Sequence, residues 1–394
     1  MKYKKILYVT TCYYLKNSSA AIRNNALVRG LSKLGHEVDV LTVEWPEGKK
    51  SAFFAQEMNG RVFYSKLKNY NVLQKKKSFF SKFFKGIGLS NFLANLFFFP
   101  DVCKEWPSEI MKLDLNFTCY DLLVSSSDLK SSHFAAKEIK VKYPNLKWAQ
   151  IWGDPWADDI GLSILHKLIV RLIEPKILNC ADLIFYTNEL TVKKMHEKYP
   201  SLSKRMNFCP RSYYREVYHE ELQNSDSIRL LYPGAFGSGR DISLLASVLD
   251  EFNLGAKKRV ELVVFSNADS YKSLEKFKCI EFHPPIDYDE ILQQFAMAHG
   301  AIFIENYGES GQIPGKLFDY FGTMLPIVCL LKNRNNKLGQ FLDRFERCII
   351  LPNERDFIAR NIDELIKRIK LRTNFELDYS PEAVAEYFIS KSLG

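Results

Sequence analysis

Two loops in this chain carry residue types and spacings suited to a phosphorylated ligand. The first, Glu309-Ser-Gly-Gln-Ile-Pro-Gly-Lys-Leu-Phe-Asp-Tyr320, follows an apolar run at Ala301 to Ile304 and precedes another from Ile327. A buried strand, a Gly-containing loop and a helix starting near Pro314 would set unpaired backbone N–H groups and a positive dipole end at the strand edge. Lys316 adds a full charge in the first helical turn, where a cation is unfavourable unless an anion lies close. Asp319 follows in the next turn, where a carboxylate can accept hydrogen bonds from two ribose hydroxyls. An ordinary solvated βα loop is the alternative.

The second loop is Gly234-Ala-Phe-Gly-Ser-Gly-Arg240-Asp241. Gly234, Gly237 and Gly239 permit close approach of the backbone to a ligand, and Arg240 offers a forked donor matched to phosphate oxygens. A structural turn would look the same. Two cationic loops at one edge of one sheet suggest a nucleoside diphosphate bound mainly by the second half of the chain.

The elements that must position these loops follow from hydrophobic patterning. With 394 residues, 46% hydrophobic and 26% charged, the chain is globular and long enough for two cores. Ile6 to Thr11 reads as a buried parallel strand, the helical spacing of Ile22, Ala26, Leu27, Leu31 and Leu34 as a helix ended by Gly35, and Val38 to Val43 as the next strand. Strands at Asp121 to Ser125, Trp148 to Ile151 and Leu183 to Tyr186 continue the series, the last after a helix from Ile164 to Leu178. A second series runs through Ile228 to Tyr232, Val260 to Phe265, Ile280 to Phe282, Ala301 to Ile304, Ile327 to Leu330 and Cys348 to Leu351. The expected fold class is α/β, with two Rossmann-like domains facing each other across a cleft. The expected boundaries are 1–206, an irregular connection at 207–227, a second domain at 228–378, and at 379–394 a C-terminal helix packing back on the first domain.

These residues resemble the retaining GT-B glycosyltransferases of family 4. The resemblance rests on Arg23 to Val43 with its Gly-His-Glu-Val, Ala181 to Glu189, the Gly234 to Arg240 loop, and Ile313-Pro-Gly-Lys-Leu-Phe-Asp-Tyr320 with Pro326-Ile-Val328. Gly-Asp-Pro-Trp at 153–156 looks like the Asp-Pro-Trp segment of one subgroup. The resemblance implies a nucleotide-diphosphate sugar held by the second domain and an acceptor held by the first. Of the family's Glu-x7-Glu motif, the second Glu falls on Asp319 and the first on Gly311. Glu309 would then reach the sugar instead, or backbone N–H groups at Gly311, Gln312 and Ile313 would hold it. Of the family's diphosphate clamp, Arg240 matches the Lys, Ala235 replaces the Arg, and Lys316 would compensate. Ser18 and Ser19 replace a usual Gly-Gly pair on the acceptor side, near Arg23.

Transfer requires stabilising charge on the departing diphosphate, which Arg240, Lys316 and the helix N-terminus would supply without a metal or other cofactor. Asp154, just after a first-domain strand, is the candidate to position or deprotonate the acceptor hydroxyl, with Trp156 beside it; capping of a turn before Pro155 is the alternative. The competing functions are a nucleotide-sugar 2-epimerase and a non-catalytic nucleotide-sugar-binding scaffold.

Lys plus Arg (55) exceed Asp plus Glu (46). The excess is local: Arg61, Lys66, Lys68, Lys75, Lys76, Lys77, Lys82 and Lys85 lie in a stretch without acids between Glu57 and Asp101. Within it Lys75, Lys76, Lys77, Lys82 and Lys85 surround Phe79, Phe80, Phe83 and Phe84, as in a helix lying on an anionic membrane surface; the expected membrane segment spans 75–99. No nucleic-acid-binding module is recognisable. The implied acceptor is a lipid-linked saccharide, as in capsule or O-antigen synthesis. Scattered cysteines, no signal-peptide pattern and no spanning run place the expected protein in the cytoplasm, peripheral on the inner face of the membrane.

Overall fold

In the computed structural model the apolar runs become parallel strands because both sheet faces are covered by helices, so each strand can be hydrophobic along its whole length. The structure describes residues 3–51, 53–56, 58–67, 99–159, 162–219, 227–236, 239–267, 273–306 and 313–394. The chain divides into two compact units, Met1–Tyr214 with Ser380–Gly394, and Arg215–Tyr379.

The first unit holds β1 (Lys5–Val9), α1 (Ser19–Lys33), β2 (Glu37–Val43), β3 (Val62–Ser65), α2 (Trp106–Ile110), β4 (Leu122–Ser127), α3 (Ser131–Lys142), β5 (Lys147–Trp152), α4 (Ile164–Asn179), β6 (Leu183–Tyr186), α5 (Glu189–Lys198) and β7 (Met206–Phe208). Its sheet is parallel, in the order β3-β2-β1-β4-β5-β6-β7. Two of these strands fall outside the expected set. β3 is an edge strand with partly exposed side chains, so it lacks a continuous apolar run, and it occupies the start of the basic stretch. β7 takes Asn207 and Phe208, where an irregular connection was expected, into the first sheet.

The second unit holds β8 (Ser227–Pro233), α6 (Ser243–Asn253), β9 (Arg259–Phe265), β10 (Ile280–His283), α7 (Tyr288–Ala296), β11 (Gly300–Ile304), α8 (Gly315–Phe321), β12 (Ile327–Leu331), α9 (Lys337–Leu342), β13 (Cys348–Pro352), α10 (Arg355–Arg360) and α11 (Ile362–Ile369). Its parallel sheet runs β10-β9-β8-β11-β12-β13. The last helix, α12 (Pro381–Leu393), belongs to the first unit. Ser380 caps it by accepting the Ala383 N–H at 3.1 Å, and Pro381 occupies its first turn. α12 packs on α1 so closely that a Cβ on Gly30 would sit 2.0 Å from the Pro381 carbonyl oxygen. The expected return of a C-terminal helix to the first domain is therefore observed.

One buried side chain ties the second unit together. Arg347, 3% exposed, donates to the carbonyls of Phe321, Thr323, Leu325 and Asn374, and so holds the turn between α8 and β12. Arg347→Met would strand these acceptors in the interior. The expected loss is about 3–5 kcal/mol, seen calorimetrically as a melting temperature lowered by roughly 10 °C; an unchanged melting temperature would contradict it.

Candidate functional site

In each sheet the strand order reverses at one point, between β1 and β4 in the first unit and between β8 and β11 in the second. Helices leave to opposite faces on either side of such a point, opening a crevice at the carboxyl ends of the strands. Arg240, Lys316 and Asp319 are found near the second of these places and Arg23 near the first.

In the second unit, Arg240 joins the two loops that flank the reversal. Its Nε donates to Asn306 Oδ1 at 2.6 Å, just beyond β11, and one terminal N–H donates to the Ala235 carbonyl at 2.8 Å, just beyond β8. The Tyr232 hydroxyl donates to the same carbonyl at 3.1 Å. Ala235, which stands where a cation was expected, thus contributes its carbonyl to hold Arg240. Two of the five guanidinium N–H groups are used in this way among the described residues, and the orientation of the others follows from them.

Lys316 lies against this loop. Its Nζ is 4.8 Å from the centre of the Tyr232 ring. Gly234 has φ 147°, a backbone conformation that favours glycine, and a Cβ there would fall 1.6 Å from Lys316 Nζ, so the lysine tip would have to move aside. Burial pulls the Lys316 ammonium down to a pKa of about 7, with the neighbouring Arg240 charge acting in the same direction and Asp319 opposing it. Asp319 is oriented by the Tyr288 hydroxyl, which donates to its Oδ1 at 2.8 Å. The contribution expected from the helix dipole is small, because α8 has only 7 residues and so few aligned peptide dipoles. Gly237, Glu309, Gly311 and Gln312 lie outside the described residues; Ile313 immediately precedes Pro314, the N-cap of α8.

In the first unit Arg23 projects from α1, 7% exposed, and donates to Ser126 Oγ at 3.2 Å and the Ser127 carbonyl at 2.9 Å, with Asp128 Oδ1 at 3.6 Å. The loop after β5 passes over it, since a Cβ on Gly153 would be 3.0 Å from the guanidinium. Asp154 follows with an exposed side chain. Desolvation raises its carboxyl pKa; Lys130 is the strongest opposing influence, and Asp128 and Asp159 add repulsion. Lys130 itself stands 5.6 Å over the Trp152 ring, and desolvation lowers its pKa.

Other expected acceptor-side residues have structural work. Trp156 is 3% exposed, stacked on Phe99 at 5.3 Å between ring centres. It is in the core because buried Glu174 accepts the N–H groups of Trp156 at 2.7 Å and Ala157 at 3.0 Å, drawing that turn inward. Ser18 caps α1 through Ala21 N–H at 3.3 Å, and Ser19 accepts from Arg211 at 3.0 Å. The membrane candidates Lys75, Lys76, Lys77, Phe79, Phe80, Lys82, Phe83, Phe84 and Lys85 lie outside the described residues; Phe99, the last residue of that expected segment, packs on Trp156 as above.

Sequence reasoning missed Asn306, Tyr288, Lys130 and Glu174. Only Asn306 had a usable signal, its place just past a parallel strand beside the reversal. Among the described residues no three His, Cys, Asp or Glu side chains gather as a metal site, and no helix is long and apolar enough to cross a membrane.

Two parallel-sheet, Rossmann-like units with these helices make an α/β fold of the GT-B type. Similar solved structures include S. aureus MnaA with UDP, at TM-score 0.52 and 11% identity, covering 99% of this chain and 95% of that one. A glycosyltransferase from Rickettsia africae matches at TM-score 0.51 and 12% identity over 99% and 94%. A UDP-N-acetylglucosamine 2-epimerase matches at TM-score 0.52 and 10% identity over 99% and 95%. At such identities the likeness is one of fold. No protein-family model and no curated protein sequence matches the chain.

Proposed function

We propose that the chain is a glycosyltransferase that moves a sugar from a nucleotide-diphosphate sugar to a lipid-linked saccharide in surface polysaccharide synthesis. The observation that carries this reading is Arg240 bonded to both strand-end loops of the second unit, with Lys316 held nearby, its pKa lowered first by burial and then by the Arg240 charge. Two cations brought together at a strand reversal are mutually repulsive until an anion joins them, and a diphosphate supplies two adjacent anionic groups. Asp319 serves the ribose hydroxyls. As the glycosidic bond breaks, negative charge grows on the diphosphate, and Arg240 and Lys316 are already in place to meet it.

The acceptor belongs to the first unit, where Asp154 orients its hydroxyl. The proton of that hydroxyl passes to a departing diphosphate oxygen as the new bond forms on the same sugar face, so the anomeric configuration is retained. This chemistry needs no metal, and the acceptor's lipid places the enzyme on the cytoplasmic membrane face. The 2-epimerase reading uses the same donor groups. The charged cluster of Arg23, Lys130 and Asp154 in the first unit favours a reaction with a second substrate.

A thermal-shift screen of UDP-, GDP-, CDP- and dTDP-sugars tests the reading. At a hundred times its dissociation constant, one donor is expected to raise the melting temperature by roughly 5–10 °C, and Arg240→Ala is expected to abolish the shift. No shift with any nucleotide sugar would defeat the proposal. Conversion of the donor in the absence of any acceptor would favour the epimerase.

A further inference from the structure

α4 exposes an apolar stripe that the fold does not use. Ile164 is 80% exposed, Leu165 48%, Leu168 51% and Leu172 69%. At about 100° per residue, these four side chains share one arc of roughly 100°. The opposite face is the one the core takes: His166, Val170, Glu174, Ile177 and Leu178 are buried. Lys167 and Arg171 border the stripe on one side and Lys176 on the other. The only acid in α4, Glu174, is on the buried side, where it accepts from Trp156, Ala157 and Tyr199.

We infer that this face of α4 docks the first unit onto an anionic lipid surface, with the four aliphatic side chains in the headgroup boundary and Lys167, Arg171 and Lys176 at the phosphates. The charge pattern selects this occupant. A second copy pairing through the same stripe would set these basic residues against their own counterparts, with no acid on the face to offset them, and lysine is depleted at protein interfaces. Anionic headgroups complement all three charges at once, and long basic side chains reach the headgroups while their stems cover apolar surface. β5 ends at Trp152, just before Asp154, and α4 is the next helix, capped by Ser163, so Ile164 and Leu165 start the helix that returns from the sheet edge carrying Asp154. The use of this placement, presenting a lipid-linked acceptor to that edge, rests on the proposed function; the docking itself does not.

The test is co-sedimentation of the full chain with vesicles of phosphatidylcholine alone or with phosphatidylglycerol, leaving residues 75–85 unchanged. Binding is expected only to the anionic vesicles. Lys167→Gln with Arg171→Gln is expected to weaken partitioning about 30-fold, and Leu168→Ser with Leu172→Ser at least tenfold. Unchanged thermal melting and nucleotide-sugar binding in both variants would exclude a folding defect. Wild-type partitioning in either variant would overturn the inference, as would a dimer in light scattering that Leu168→Ser with Leu172→Ser converts to monomer. Loss of nucleotide-sugar binding by the wild-type chain with vesicle binding intact would count against the proposed function alone.

Discussion

Lys316→Met is expected to lower the rate of sugar transfer about 100- to 1,000-fold, and Arg240→Ala to do the same. On the proposed function, each removes one fixed positive group from the place where the diphosphate would gain charge. Lys316 also predicts a pH signature. Its pKa is about 7 in the folded chain and about 10.4 when solvated, so the free site loses its ammonium charge as pH rises through 7. The unfolded chain keeps that proton over the same window, so this group contributes stability that grows from pH 7 toward 10. Donor binding has the opposite sign, because a bound diphosphate restores the charge and binding takes up a proton. Affinity for a nucleotide sugar, whose phosphate diesters do not titrate here, should therefore fall by close to tenfold per unit above about pH 7. Calorimetry across that range, in buffers of different ionisation enthalpy, reads both slope and proton uptake. The same slope in Lys316→Met would show that another group is responsible.

Asp154→Asn is expected to cost about 100-fold in turnover while leaving donor binding intact. The amide preserves shape but removes the carboxylate charge that orients the acceptor hydroxyl. Desolvation raises the Asp154 carboxyl above its ordinary range, so the acid limb of the wild-type pH–rate profile should lie above that of a solvated aspartate and vanish in the variant. Turnover within a factor of two of wild type would reduce Asp154 to the cap of a turn before Pro155. Arg23 and Lys130 are the charged neighbours that favour its ionised form, so neutralising Lys130 should move the limb further up.

The parallel strands were readable because burial on both faces makes them continuous apolar runs, as in Ile6 to Val9 and Ile327 to Leu331. β3 and β7 escaped for the complementary reason: each lies at a sheet edge, is short and is only partly buried. At the site, Arg240 and Lys316 could be picked out as candidates because the chemistry of a cationic, glycine-containing loop is local. Asn306 and Tyr288 could not be linked to them, since the bonds Arg240–Asn306 and Tyr288–Asp319 span 66 and 31 positions. Trp156 illustrates a different failure. Its position after Asp154 made it an acceptor-side candidate, but the buried carboxylate of Glu174, supplied by a helix further along the chain, draws its backbone inward.

The docking of α12 on α1 also has a bearing on biosynthesis. Residues 380–394 belong to the first unit, yet the whole of the second unit separates them from residue 214. A chain growing from the ribosome can complete the second unit's sheet before it can seat Ala385 and Phe388 in the first. Until then Gly30 and its helix have no cover on that side. The unit begun first is thus the one finished last, and a nascent chain halted before residue 380 would carry a first unit with an open flank.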